Sequence, residues 1–245
     1  GIMPMAWSDA GSHLLGLFES LLVATHGAHG HRAWLEALEG SGARDAWTSR
    51  PVRDALERLR QLRSLNARLP GPIPAWSRAG KDFLLGRAAL WVGGDWARGE
   101  VRAWGMRAEL DHGVQAAPGT ADVFLCVVDC LGAFAAQPRH RFAQAQLAAR
   151  LLEPDAQAAF NHAKGSLPPQ MAGAFEGEDI HQVRTWVDLH NPRVLKLPAL
   201  VHRLGMGGLR MPALTHWLHR YATTPSLSAG ALQQQLARLS LSRTP

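Results

Sequence analysis

The sequence predicts an α/β fold in which helices outnumber strands, and three observations point there. Several stretches repeat apolar residues at helical spacing. The clearest runs from Pro51 to Leu69, with Val52, Leu56, Leu59 and Leu62 on one face and Arg and Glu opposite. Between such stretches lie apolar runs short enough to be buried strands, Ala88 to Val92 and Phe124 to Cys130. The first of these runs into Gly93-Gly94, which places Asp95 and Trp96 on the turn at the strand's end. Open α/β sheets hold their ligands just past strand ends.

Composition sets the bounds. A chain of 245 residues can bury one large core or two smaller ones, and 47% hydrophobic with 19% charged residues is a globular balance. No apolar run reaches the length of a membrane span, and no charged, apolar, cleavable leader opens the chain. The chain starts at Gly1 rather than Met, as a piece of a longer reading frame would, so the lack of a leader carries no weight for location. The net charge of +6 is scattered among apolar and acidic residues without a Lys/Arg block, so nucleic acid is not an expected partner. Cys126 and Cys130 would stand roughly 13 Å apart on one strand, too far to bridge. They read as packing groups on a buried face, and without ligand-spaced partners they do not suggest zinc.

Taken in order, Trp7 and Asp9 precede a helix from Ser12 to Thr25, with Ser12 as its N-cap. His26, His29 and His31 follow in a Gly-rich stretch and read as a solvated loop rather than a metal site. The helix resumes from Trp34 to Leu38, and Pro51 opens the amphipathic helix. Residues 69–74 form a Pro-rich loop. Ser77 to Leu85 is a short helix ended by Gly86 in a left-handed cap. Arg98 to Met106 is another short helix. Phe142 to Ala163 is helical but broken near residue 153, because Pro154 suits a helix start and not an interior. Arg184 to Leu189 carries Trp186 on a helical stretch, and helices from Leu209 to Ala222 and from Ser228 to Leu239 close the chain, Ser226 or Ser228 capping the second.

The stretch from Trp76 to Glu100 resembles the signature W…A…F..GkAAm..mGDWa.GE of the periplasmic sugar-binding proteins of ABC importers, nearest their glucose/mannose-binding branch. Trp76, Gly86, Ala88, Ala89, Gly94, Asp95, Trp96, Ala97, Gly99 and Glu100 carry the match. Further blocks follow in the family's order. Ser12 to Thr25, with Phe18-Glu19, resembles its "W…lFe…l…g" segment, and Gln115 to Thr120 its Pro-Gly-Thr turn. Val123 to Phe134 resembles the block that holds a sugar-bonding aspartate, here Asp129. Phe160 to Pro168 resembles "fN..KGSiP", and Pro198 to His202 resembles "PS.aH". Pro169-Gln170 and Ala199 depart from the family pattern.

The resemblance implies a helix-rich type II periplasmic-binding-protein fold, in which residues 1–245 are the C-terminal portion of a two-lobed protein lacking the N-terminal part of the first lobe. It implies sugar contacts from Trp76, Trp96, Asp129, Lys164 and His202, and partners in a monosaccharide, the ABC permease and the missing lobe. It also implies a periplasmic location. An indole can cover the apolar face of a hexose while carboxylate, ammonium and imidazole exchange hydrogen bonds with its hydroxyls. No nucleophile elbow, phosphate loop or His-Glu-x-x-His appears, so no catalytic residues and no cofactor are expected. Glu176, Glu178 and Asp179 read as surface acids, and Gly205 to Gly208 as a helix-breaking loop. Competing readings are a sensing or interaction module cut from a receptor or kinase ectodomain, and a degenerate paralogue without a ligand.

Overall fold

The computed structural model describes residues 1–66, 76–133, 135, 138–169, 180–204 and 211–241. The chain divides into two compact units, one built from Gly1–Gly93, Gln115–Val127 and Pro192–Pro245, the other from Gly94–Val114 and Val128–Asn191. We call them unit 1 and unit 2.

Unit 1 begins with β1 (Met3–Ala6) and a long α1 (Gly11–Glu39), followed by α2 (Ala43–Thr48), α3 (Arg50–Leu65), α4 (Trp76–Leu84) and β2 (Ala88–Trp91). After unit 2's first segment it resumes with β3 (Val123–Cys126). After unit 2's second segment come β4 (Leu195–Pro198), α9 (Leu200–Leu204), α10 (Met211–Thr223) and α11 (Ala229–Leu241). Unit 2 holds α5 (Ala97–Ala103), α6 (Pro138–Leu151), α7 (Pro154–Lys164) and α8 (Ile180–His190). The helix-rich α/β expectation therefore holds. Among the described residues, no helix is long and apolar enough to cross a membrane.

Among the described residues the strands form two separate parallel pairs. Met3 pairs with Ala88 and Met5 with Leu90 in one; Val123 pairs with Leu195 and Cys126 with Pro198 in the other. Parallel neighbours need long crossovers, so each pair joins segments far apart in the chain. The core of unit 1 is helical. Phe18 and Leu22 of α1, Leu56 of α3, Leu214 of α10 and Leu232 of α11 are fully buried together. Arg60 of α3 ties the α10–α11 connection, donating to the carbonyls of Tyr221 at 2.9 Å and Leu227 at 2.5 Å. Asp9 is buried, accepts from the Trp7 indole at 2.5 Å and pairs with Arg63 at 3.2 Å.

Several local expectations survive. Gly86 ends α4 at φ 68, Pro51 sits in the first turn of α3, and Glu153 and Pro154 open α7 as cap and first turn. The Ser228 hydroxyl accepts the Ala231 amide at the start of α11.

Others are corrected. Ser12 lies inside α1, whose N-cap is Ala10. The histidine stretch is helical, kinked at Gly27 (φ 69) rather than opened into a loop. Only His29 of the three histidines is exposed; His31 is fully buried. The reason is aromatic packing. His31 stacks on Trp34 at 5.5 Å, Trp34 meets Trp47 edge-on at 5.3 Å, and the Trp34 indole donates to the Ala46 carbonyl at 3.1 Å.

The strand read from Phe124 to Cys130 stops at Cys126, because its partner β4 ends at Pro198 and the chain then turns into α9. Asp129 and Cys130 consequently lie beyond the strand and are exposed, so Cys130 is no packing group on a buried face. The 69–74 loop, the surface acids Glu176, Glu178 and Asp179, and Gly205 to Gly208 lie outside the described residues.

Candidate functional site

In unit 2 the Asp95-Trp96 turn is built by the chain on both sides. Gly94, Asp95 and Trp96 carbonyls accept the amides of Ala97, Arg98 and Gly99 at 3.0, 3.0 and 3.1 Å, which starts α5. The Trp96 indole lies across Gly94, where a Cβ would stand 2.7 Å from Nε1. Glycine is therefore what lets the ring fold back over its own turn.

The other half is the end of α7. Gly165 adopts a left-handed conformation at φ 86 and closes the helix by donating to the Asn161 carbonyl at 2.8 Å. Ser166 then donates to the Asn161 side chain at 2.7 Å, and Asn161 in turn donates to the Gln157 carbonyl at 2.8 Å. Lys164 is thus placed on the last turn of a capped helix. Its ammonium forms an ion pair with Asp129, and it sits 5.9 Å from the ring of Phe160, one turn earlier. Lys164 is one-third exposed, Asp129 two-thirds.

What joins the two halves is α5 against α7. Gly99 lies against the end of α7 so closely that a Cβ there would come within 2.5 Å of the Ala163 and Lys164 carbonyls. Arg98 is buried and donates twice to the Gly165 carbonyl, from Nε at 3.0 Å and from Nη2 at 2.6 Å, and once to Thr185 at 2.8 Å. One turn on, Arg102 donates to the His162 carbonyl. Cations at a helix C-terminus satisfy its unpaired carbonyls and its dipole. The Asp95 carboxylate faces Arg98 at 3.9 Å. Burial pushes its pKa up, and the charges of Arg98 and Lys164 oppose that rise. Asp95, Asp129 and Lys164 therefore form one electrostatic cluster. Such a group can accept and donate hydrogen bonds to hydroxyls, but shows no nucleophile–base pairing.

The remaining predicted site residues belong to unit 1. His202 is partly buried on α9, and its amide donates to the Ala199 carbonyl at 2.9 Å. Trp76 begins α4, and its side chain falls outside what the structure describes. Among the described residues no cluster of His, Cys, Asp or Glu could hold a metal ion.

Sequence reasoning missed Arg98, Gly99 and Gly165 as the joint of the site. A glycine inside the short helix α5 was the available signal, since it costs helix stability and marks close backbone approach.

No protein-family model matches the chain. An uncharacterized ABC transporter extracellular-binding protein of Pyrococcus horikoshii is 26% identical over 158 residues, 64% of this chain and 35% of its own length. A protein of Mesorhizobium japonicum, named a probable sugar-binding periplasmic protein, is 26% identical over 169 residues, 69% of this chain and 39% of its own. The chain thus spans little more than a third of the length of these relatives. Both are named as binding proteins rather than enzymes, and they support kinship with the solute-binding proteins of ABC transporters.

Proposed function

We propose that the chain is the C-terminal portion of a two-lobed, type II periplasmic solute-binding protein, and that it binds a monosaccharide such as glucose or mannose for delivery to an ABC permease. The observation that carries the reading is the Lys164–Asp129 ion pair, held solvent-facing on the capped end of α7 and coupled to Asp95. Charged groups in this arrangement trade water for sugar hydroxyls, and a hydroxyl missing from a wrong sugar strands a partner at a cost of about 1–3 kcal/mol. Trp96, on the adjoining turn, offers an apolar ring face. In unit 1 the reading assigns further contacts to Trp76 and His202.

Unit 2 also leaves Phe142, Leu147 and Leu152 exposed, apolar surface that the rest of a two-lobed protein would cover. The relatives' names add support for a sugar ligand, a permease partner and an extracytoplasmic location.

The test is tryptophan fluorescence of this chain during glucose and mannose titration, with Asp129→Ala and His202→Ala alongside. A saturable change that both variants lose supports the reading. Absence of any change up to millimolar sugar, both in this chain and in one extended to the full length of its relatives, would sink it.

A further inference from the structure

Glu19 is a carboxylate in the helical core of unit 1, 4% exposed. It comes from the middle of α1, yet its Oε1 accepts the Leu200 amide at 2.6 Å, across 181 residues of sequence. Leu200 is the first residue of α9, the short helix that carries His202.

Three backbone donors of that junction have identified acceptors. The Ala199 amide donates to the Cys126 carbonyl at 2.9 Å, which continues the β3–β4 pairing by one bond. The Leu200 amide goes to Glu19. The His202 amide goes back to the Ala199 carbonyl at 2.9 Å. A helix start leaves its first amides without intrahelical partners, and a buried one must find an acceptor elsewhere. Leu200 is fully buried, so water cannot supply that acceptor.

The choice of acceptor is informative. A buried carboxylate pays heavily in lost hydration, and an ordinary core position would be more stable if apolar. Here burial raises the carboxyl pKa to about 7, and the Leu200 hydrogen bond counts against that rise. Among the described residues its ionisable neighbour is His31, whose Nε2 stands 3.9 Å away, with both ring nitrogens lacking a hydrogen-bond partner. No full ion pair offsets the carboxylate's cost. What it achieves locally is to fix the first turn of α9.

We propose that Glu19 is a positioning residue for the sugar site, acting through the Leu200 amide to hold the helix that carries His202. The inference rests on the sugar-binding reading of His202. Within unit 1, one hydrogen bond from the core then sets the placement of α9, and Glu19 acts without touching the ligand itself.

Two nearly isosteric variants of the full chain separate positioning from packing. Glu19→Gln keeps an oxygen acceptor for Leu200, while Glu19→Met fills the same space without one. Glucose and mannose affinity is read by titration, and mobility of residues 199–202 by amide hydrogen exchange. We expect Glu19→Gln to bind sugar within about twofold of the parent and to keep its exchange protection. We expect Glu19→Met to lose at least tenfold in affinity and to exchange faster at Leu200, while the α10 and α11 amides stay protected. Equal behaviour of the two variants, or faster exchange across the whole unit in Glu19→Met, overturns the proposal. Should neither the parent chain nor one extended to the full length of its relatives bind either sugar, the binding reading falls and takes the positioning role with it. The exchange comparison then still reports whether Glu19 anchors α9.

Discussion

Gly99 and Gly165 touch backbone to backbone. A Cβ on Gly165 would stand 2.4 Å from the Gly99 amide nitrogen, and one on Gly99 would stand 2.5 Å from two carbonyl oxygens of the chain just before Gly165. Those obstacles are main chain and cannot swing aside as a flexible side chain would. Gly99→Ala should therefore destabilise unit 2 by about 1–3 kcal/mol or more. Gly165→Ala should cost at least as much, since its φ of 86 adds strain to the clash. Gly113→Ala, with nothing within 4 Å, is the control and should fall within about 0.5 kcal/mol of the parent. Urea unfolding followed by tryptophan fluorescence measures all three, and a neutral Gly99→Ala would refute the contact.

Arg98 works beside that contact. Arg98→Met removes both donors to the Gly165 carbonyl, and a buried carbonyl left unpaired costs about 1–3 kcal/mol. Arg98→Lys should recover little, because an ammonium cannot reproduce the forked geometry that reaches Gly165 and Thr185 together. Thermal melts of the two variants should shift downward together. Full recovery by lysine would mean that charge, not geometry, holds the joint.

The Lys164–Asp129 pair should behave differently. Both partners are substantially exposed, so water and salt screen their attraction. Asp129→Ala and Lys164→Met are expected to change unfolding free energy by less than about 1 kcal/mol while abolishing the sugar response. A large drop in melting temperature in either variant would show that the pair is structural, and would remove it as a binding element.

Glu19 and His31 set opposite pH slopes in unit 1. Burial raises the Glu19 pKa from 4.5 to about 7, so between those values the folded chain keeps a proton that the unfolded chain releases. Stability therefore falls as pH rises through that window. Burial, with a smaller push from His26, lowers His31 from 6.5 to about 4. There the unfolded chain takes up a proton that the folded chain refuses, so stability rises with pH. The windows overlap and the slopes largely cancel in the parent. His31→Phe should expose the falling slope, roughly 3 kcal/mol across its window, and Glu19→Gln the rising one, of similar size. Urea melts at half-unit pH steps would show them; slopes of the same sign in both variants would contradict the assignment.

The sequence was legible where the cause is local. The apolar face of α3, the left-handed glycine after α4 and the proline at the start of α7 each act within one or two turns of chain. The turn bearing Asp95 and Trp96, and the Lys164 end of α7, were readable for the same reason. What stayed hidden depends on partners far away. The histidines after Thr25 look solvated by composition, and only Trp34 and Trp47 folding over them explains why His31 is buried. The strand through Phe124 looked longer than it is, because nothing in its own residues says that β4 stops at Pro198. Arg98 reads as one arginine among many until Gly165 arrives beneath it, 67 residues later.

Unit 1 is made of three stretches of chain interrupted by unit 2, and its bonds reach from Glu19 to Leu200, from Arg53 to Gln233 and from His219 back to Asp9. On a ribosome this order matters. When α3 has emerged, α1 and α3 carry apolar faces whose partners in α10 and α11 have yet to be translated. At ~5–20 residues per second the wait is on the order of ten seconds, far longer than hydrophobic collapse. The apolar faces of α1 and α3 are thus expected to stay unburied on the nascent chain until the last two helices arrive.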